Sequence, residues 1–232
     1  MLNLVLFCVF VLFLVAIQFT SGKTVDEIVE RHIRAIGGLE KLDTIITIYF
    51  EGLITMMGNT GLIKIYQTME NIAGEKYLFN WKITDIADYE YKTSQSPFNR
   101  QLIENKIIES LSQSSITAYL INYIADGSKV SFIGKEVVDE ITCNKITLST
   151  STGMQINYWF NTNDGLLNQT SIKNNISNPI KASVIQAKYA MYKTVQGVLV
   201  PHKIDISLGA AASSIEVNFS SIIINKIEEA IF

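Results

Sequence analysis

The sequence predicts a mainly β protein of α+β type: a curved antiparallel sheet, or incomplete β-barrel, of about ten strands, closed by an N-terminal helix and a helical insertion. Three observations predict it. Apolar and polar residues alternate through segment after segment, as in 154–160 and 198–208, which is the mark of a sheet with one wet face. Turn residues separate those segments at short intervals. One clear amphipathic helix stands at the start, and its apolar stripe needs a surface to cover.

That helix is Thr24 to Gly38, TVDEIVERHIRAIGG. Val25, Ile28, Val29, His32, Ile33 and Ile36 recur at helical spacing. Thr24 and Glu27 have the spacing of a capping box, and Gly37-Gly38 can take the left-handed backbone that ends a helix. Leu39 to Leu42 adds a helical turn.

The strands follow in order. The first is read as Thr44–Met56, then a turn at 57–61, a strand at 62–70, a turn at 71–75 and a strand at 76–84. Residues 85–98 read as a short strand and a loop. Helical spacing returns over 101–125 and makes the insertion. Seven strands are then expected: 129–138, 140–149, 153–161, 166–174, 182–194, 197–208 and 213–224. Asp139-Glu140, Thr152-Gly153, Asn163-Asp164-Gly165 and Gln196-Gly197 are the turn signals among them. No internal repeat or low-complexity linker appears, so residues 23–232 are read as a single domain.

Residues 1–22 are a different material. Leu4 to Ile17 is unbroken apolar sequence and no charge occurs before Lys23. The run is short for a membrane span of about 20 residues, so it reads as a signal peptide, with an uncleaved anchor as the alternative. Without it Cys143 is the one cysteine, which excludes an internal disulfide and fits a packed side chain.

Little of the sequence points to chemistry. Of 232 residues, 18% are charged and the net charge is −3, with no basic block to hold nucleic acid. His32 and His202 are the two histidines, and each reads as a packed or hydrogen-bonded core residue. Two distant histidines and one cysteine do not make a metal site. No G-x-S-x-G, H-E-x-x-H or phosphate-cradling glycine loop occurs. Asn168, Asn175 and Asn218 begin N-x-S/T triplets. The pattern implies no enzyme, no cofactor and no metal. The apolar side of the sheet either lines a ligand cavity or fills itself as a core.

The order and spacing of several segments resemble the bacterial outer-membrane lipoprotein-sorting proteins, the LolA/LolB-like lipoprotein-localisation carriers. Asp26, Glu27, Ile28, His32, Ala35, Gly37, Gly38, Lys41, Glu51 and Gly52 match that family's opening. VSFIGKEVVD (130–139), NTNDGLL (161–167), YAMYKTVQGVLVPHKI (189–204) and the terminal Phe232 extend the match. Members often carry Asp-Gly-x-x-x-W after the third strand, where this chain reads DIADYEYKTSQSPF (85–98).

The resemblance implies an incomplete barrel closed by helices, a periplasmic location and acyl chains bound on the concave side. Its partners would be lipid or acylated lipoprotein, with an envelope protein and transient membrane contact as further expectations. On this reading the cavity wall is Ile63, Ile65, Phe79, Trp81, Ile156, Tyr158, Phe160, Ile204, Ile206 and Phe219. The helix lid is Ile28, Val29, His32, Ile33 and Ile36. The alternative is an envelope structural or protein-interaction module with a filled core.

Overall fold

The computed structural model describes residues 25–56, 58–72, 76–86, 105, 107–108, 120, 127–150, 153–173, 184–208 and 214–225, with the backbone alone at 69–72, 76–86, 184 and 208. Helix α1 covers residues 25–35, and one further turn, α2, is Leu39–Leu42. The strands are β1 (Thr47–Met56), β2 (Asn59–Ile72), β3 (Lys76–Ile86), β4 (Lys129–Val138), β5 (Ile141–Ser149), β6 (Gln155–Asn161), β7 (Leu167–Lys173), β8 (Val184–Val195), β9 (Val198–Leu208) and β10 (Ser214–Ile224). The proposed signal segment 1–22, the loop at 87–98 and the C-terminal Phe232 lie outside the described residues. So does most of the insertion, of which 105, 107 and 108 are helical.

All ten strands form one antiparallel sheet, in the order β3-β2-β1-β10-β9-β8-β7-β6-β5-β4. It is curved and not closed into a barrel. Every neighbour in the sheet is a neighbour in sequence except β1 and β10. Two meanders are thus joined where the last strand returns beside the first. The chain between Ile86 and Lys129 must therefore connect one free edge, β3, to the other, β4. Two of its described residues pack on the concave face: Ile107 is fully buried and Leu120 lies against the same core.

Boundaries move where hydrogen bonds are already taken. β1 starts at Thr47 rather than Thr44, because the Thr44 and Ile45 amides donate back to Lys41 and Leu42 at the end of α2. β2 starts at Asn59, inside the segment read as a turn, because Asn59 already pairs with Met56 across a tight hairpin. β6 starts at Gln155 because the Thr150–Met154 turn closes on itself, with the Thr150 amide 2.9 Å from the Met154 carbonyl. Asp139-Glu140 and Gln196-Gly197 both take positive φ, the two-residue hairpin geometry that matches strand twist.

Helix α1 ends as its glycines predict. The Gly38 amide donates to Ile33 and the Gly37 amide to Arg34, a paired arrangement that needs left-handed backbone at Gly37. Gly52 is required for a different reason. A bulge at Glu51/Gly52 brings β1 against β10, and a Cβ at Gly52 would strike the Asn218 carbonyl and lie 2.7 Å from the Phe219 Cα.

Candidate functional site

The concave face is built by strand register. On β1, Ile48, Phe50, Ile54 and Met56 are buried, and the partners of these residues on β10 are Ile224, Ile222, Val217 and Ile215. The row through Met56 continues across the sheet: Ile215, then Ile206, Ala187, Thr170, Tyr158 and Ile146 are successive cross-strand partners. A parallel row runs Leu148, Ile156, Ile172 and Ile185. Cross-strand partners share a face, so these residues form one apolar belt. All of those apolar side chains belong to a single buried cluster.

Eight of the ten expected wall residues are buried on this sheet, and the side chains of the other two, Phe79 and Trp81, lie outside the described residues. Ile63 and Ile65 stand on β2 opposite Gly52 and Phe50. Ile156, Tyr158 and Phe160 lie on β6, Ile204 and Ile206 on β9, and Phe219 on β10. All eight are buried, and Ile63, Ile65 and Ile156 show 0% exposure. Phe79 and Trp81 occupy β3 at positions registered with Met69 and Gln67. Phe219 packs its ring 5.0 Å from that of Phe50, and Tyr158 stacks on Phe160 at 6.1 Å. At the described wall residues the trough is occupied by its own side chains.

The lid residues meet that face. Ile28, Val29, His32 and Ile36 are buried and Ile33 packs at the margin. The His32 ring lies 4.8 Å from Phe160. Polar contacts hold α1 to two turns of the sheet. His32 Nδ1 lies 2.9 Å from the Gly165 carbonyl, and the Arg31 guanidinium donates to the Asn163 carbonyl at 2.7 Å, both in the β6–β7 turn. Beyond the helix, the Leu199 amide donates to Ile36 O at 2.9 Å and Lys41 Nζ reaches Gly197 O at 3.3 Å, both at the β8–β9 turn. Because a carbonyl accepts, Nδ1 of His32 carries the proton. Burial pushes its pKa down from 6.5 to about 4, against the opposing pull of the Gly165 carbonyl and of Asp164, so the ring is neutral.

Several buried or half-buried polar groups on or near the belt are paired. Thr170 Oγ1 and Tyr189 OH are 2.8 Å apart, and Tyr192 OH donates to Leu167 O at 2.8 Å. Burial raises both tyrosine pKa values, so both stay protonated. His202 is a buried core histidine, its Nδ1 3.0 Å from Val200 O. Cys143 is buried too, and burial raises its thiol pKa, which makes it a poor nucleophile. Among the described residues no group of three or more His, Cys, Asp or Glu could hold a metal.

One residue of the face was missed by the sequence reading. Gln67 continues the phase of Ile63 and Ile65 and is 1% exposed. The signal was visible, since a glutamine sits where the alternation asks for a third aliphatic residue.

No protein-family model matches the chain, and no curated protein matches its sequence. Solved structures do match. A candidate outer-membrane lipoprotein-sorting protein domain from Vibrio parahaemolyticus aligns with TM-score 0.53 and 10% identity, over 88% of this chain and 93% of that one. The chain shares the fold of that domain. A DUF1329 family protein from Desulfovibrio piger aligns with TM-score 0.52 and 11% identity, over 87% of this chain and 93% of that one. A LolA superfamily protein from Nitrosomonas europaea aligns at 0.43 and 13% identity, over 82% and 92%.

Proposed function

We propose that this protein is an exported, non-enzymatic carrier that takes acyl chains of lipids or lipoproteins between α1 and the concave face of its sheet. The observation that carries the reading is the apolar belt that crosses strand after strand beneath a helix pinned to two turns. The fold shared with a domain described as lipoprotein-sorting supports a role in the envelope and the periplasm as the place. Each buried methylene of a guest contributes about 0.8 kcal/mol. Lifting the helix loses about 1 kcal/mol net per hydrogen bond, and a long chain offsets this where its methylenes cover the apolar stripe of α1 that water would otherwise meet. A partner with a more apolar site could then accept the cargo.

Native mass spectrometry of the protein purified from its natural host tests this. The expected spectrum carries the added mass of an acyl lipid. A spectrum of bare protein from every gentle preparation would count against the carrier.

A second reading is favoured by one observation: Ile63, Ile65 and Ile156 have no accessible surface. On that reading the interior is a finished core and the outer face works on a protein partner. It expects no guest and no response to added lipid.

A further inference from the structure

The Gln67 side chain is buried with both polar atoms, Nε2 and Oε1, lacking a hydrogen-bond partner. Thr170, Tyr189, Tyr192 and His202 on the sheet and His32 on α1 are paired. A buried amide left wholly unpaired is costly, and it is rare enough to need a reason. Gln67 stands in register between Ile48 on β1 and the Trp81 position on β3. Asn168 Nδ2 also lacks a partner, but the Asn168 side chain bonds Cys143. Among the described residues Gln67 is the one whose complete amide is free.

Resting on the carrier reading above, we propose that Gln67 is the polar anchor of the acyl site and that the cargo is an amide-linked acyl chain. The carboxamide offers donors at Nε2 and an acceptor at Oε1. A head group with a carbonyl oxygen beside an N–H satisfies both with a matching pair of hydrogen bonds. An ester has no donor, and an ionised carboxyl has none either. An amide one bond beyond the alkyl chain lets its methylenes run along Ile63 and Ile65 while its head pairs with Gln67.

The test compares decanamide with decane, each displacing N-phenyl-1-naphthylamine, on the wild-type protein and on Gln67→Met. Gln67→Met keeps the volume and removes the polar atoms. The expected result is that the amide-to-alkane affinity ratio falls about tenfold in the variant, while the ligand-free variant melts no lower than the wild type. An unchanged ratio with both probes bound overturns the anchor and leaves the carrier standing. So does a lower melting temperature with an unchanged ratio, which marks a structural amide. If neither probe displaces the dye from wild type, the carrier reading falls and takes the anchor with it. N-decanoylalanine methylamide, run beside them, separates two sources of the same chemistry. It matches decanamide if the cargo is an acylated polypeptide and binds more weakly if it is a free lipid amide; both results uphold Gln67.

Discussion

The two faces of this sheet are made from the same strands and hold together by opposite means. The concave face is aliphatic and aromatic and covered by α1. On the convex face, charged and polar side chains pair across strands. Lys145 bonds Glu136 at 2.9 Å and lies over the Trp159 ring, whose Nε1 also donates to Glu136. Those two bonds, the Trp159 one first, hold the Glu136 carboxyl below its usual pKa. Thr147, Asn157 and Ser171 form a hydrogen-bonded row, and Lys203 bonds Glu216 at 2.7 Å. The difference teaches where stability and register each come from. Burial on the concave side supplies the energy, whereas the convex pairs, screened by water, chiefly favour one register.

Three changes test that contrast. Truncating the concave face should cost most. Phe160→Ala removes a 1% exposed ring that touches both His32 and Tyr158, and should destabilise by about 3–5 kcal/mol in urea unfolding.

Next comes acid at the helix–sheet contact. The His32 pKa in the folded protein is about 4, below its ordinary 6.5, so between those values the unfolded chain binds the extra proton. Stability is therefore complete above 6.5 and is lost as pH falls toward 4, by about 3 kcal/mol from this residue. His32→Gln can still donate to Gly165 O but does not titrate, so urea midpoints at pH 7 and pH 4.5 should differ less in that variant.

The smallest effect belongs to the convex face. Lys188 and Asp139 pair at 2.6 Å, but their side chains are 45% and 60% exposed. Lys188→Ala should shift stability by no more than about 0.5 kcal/mol. A loss matching that of Phe160→Ala would erase the distinction between the faces.

Much of this was legible in the sequence. Alternation located every strand from β4 to β10 within two residues, because a one-face sheet forces a period of two on its side chains. His32 and the Gly37-Gly38 end announced α1. The pairing of β1 with β10 was not legible, since no local pattern records which distant strand a strand will join. Gly52 shows the same limit: the strand reads smoothly through it, and only the closeness of Asn218 explains the missing side chain. The role of Asn225 was hidden as well. Its side chain accepts from the Ile46 amide at 2.7 Å and donates to Thr44 O at 2.9 Å, tying the start of β1 to the end of β10 across most of the chain. Trp159 alternates with the polar residues as expected, yet it is buried, because Lys145 on β5 and Glu136 on β4 cover it.

The central claim is that the covered trough can open for a chain of methylenes. A fluorescence titration with cis-parinaric acid tests it most directly. Saturable uptake of one molecule per protein, reversed by an unlabelled acyl chain, is the expected result. A flat titration at every pH where the protein is folded would contradict it and leave the filled-core module in its place.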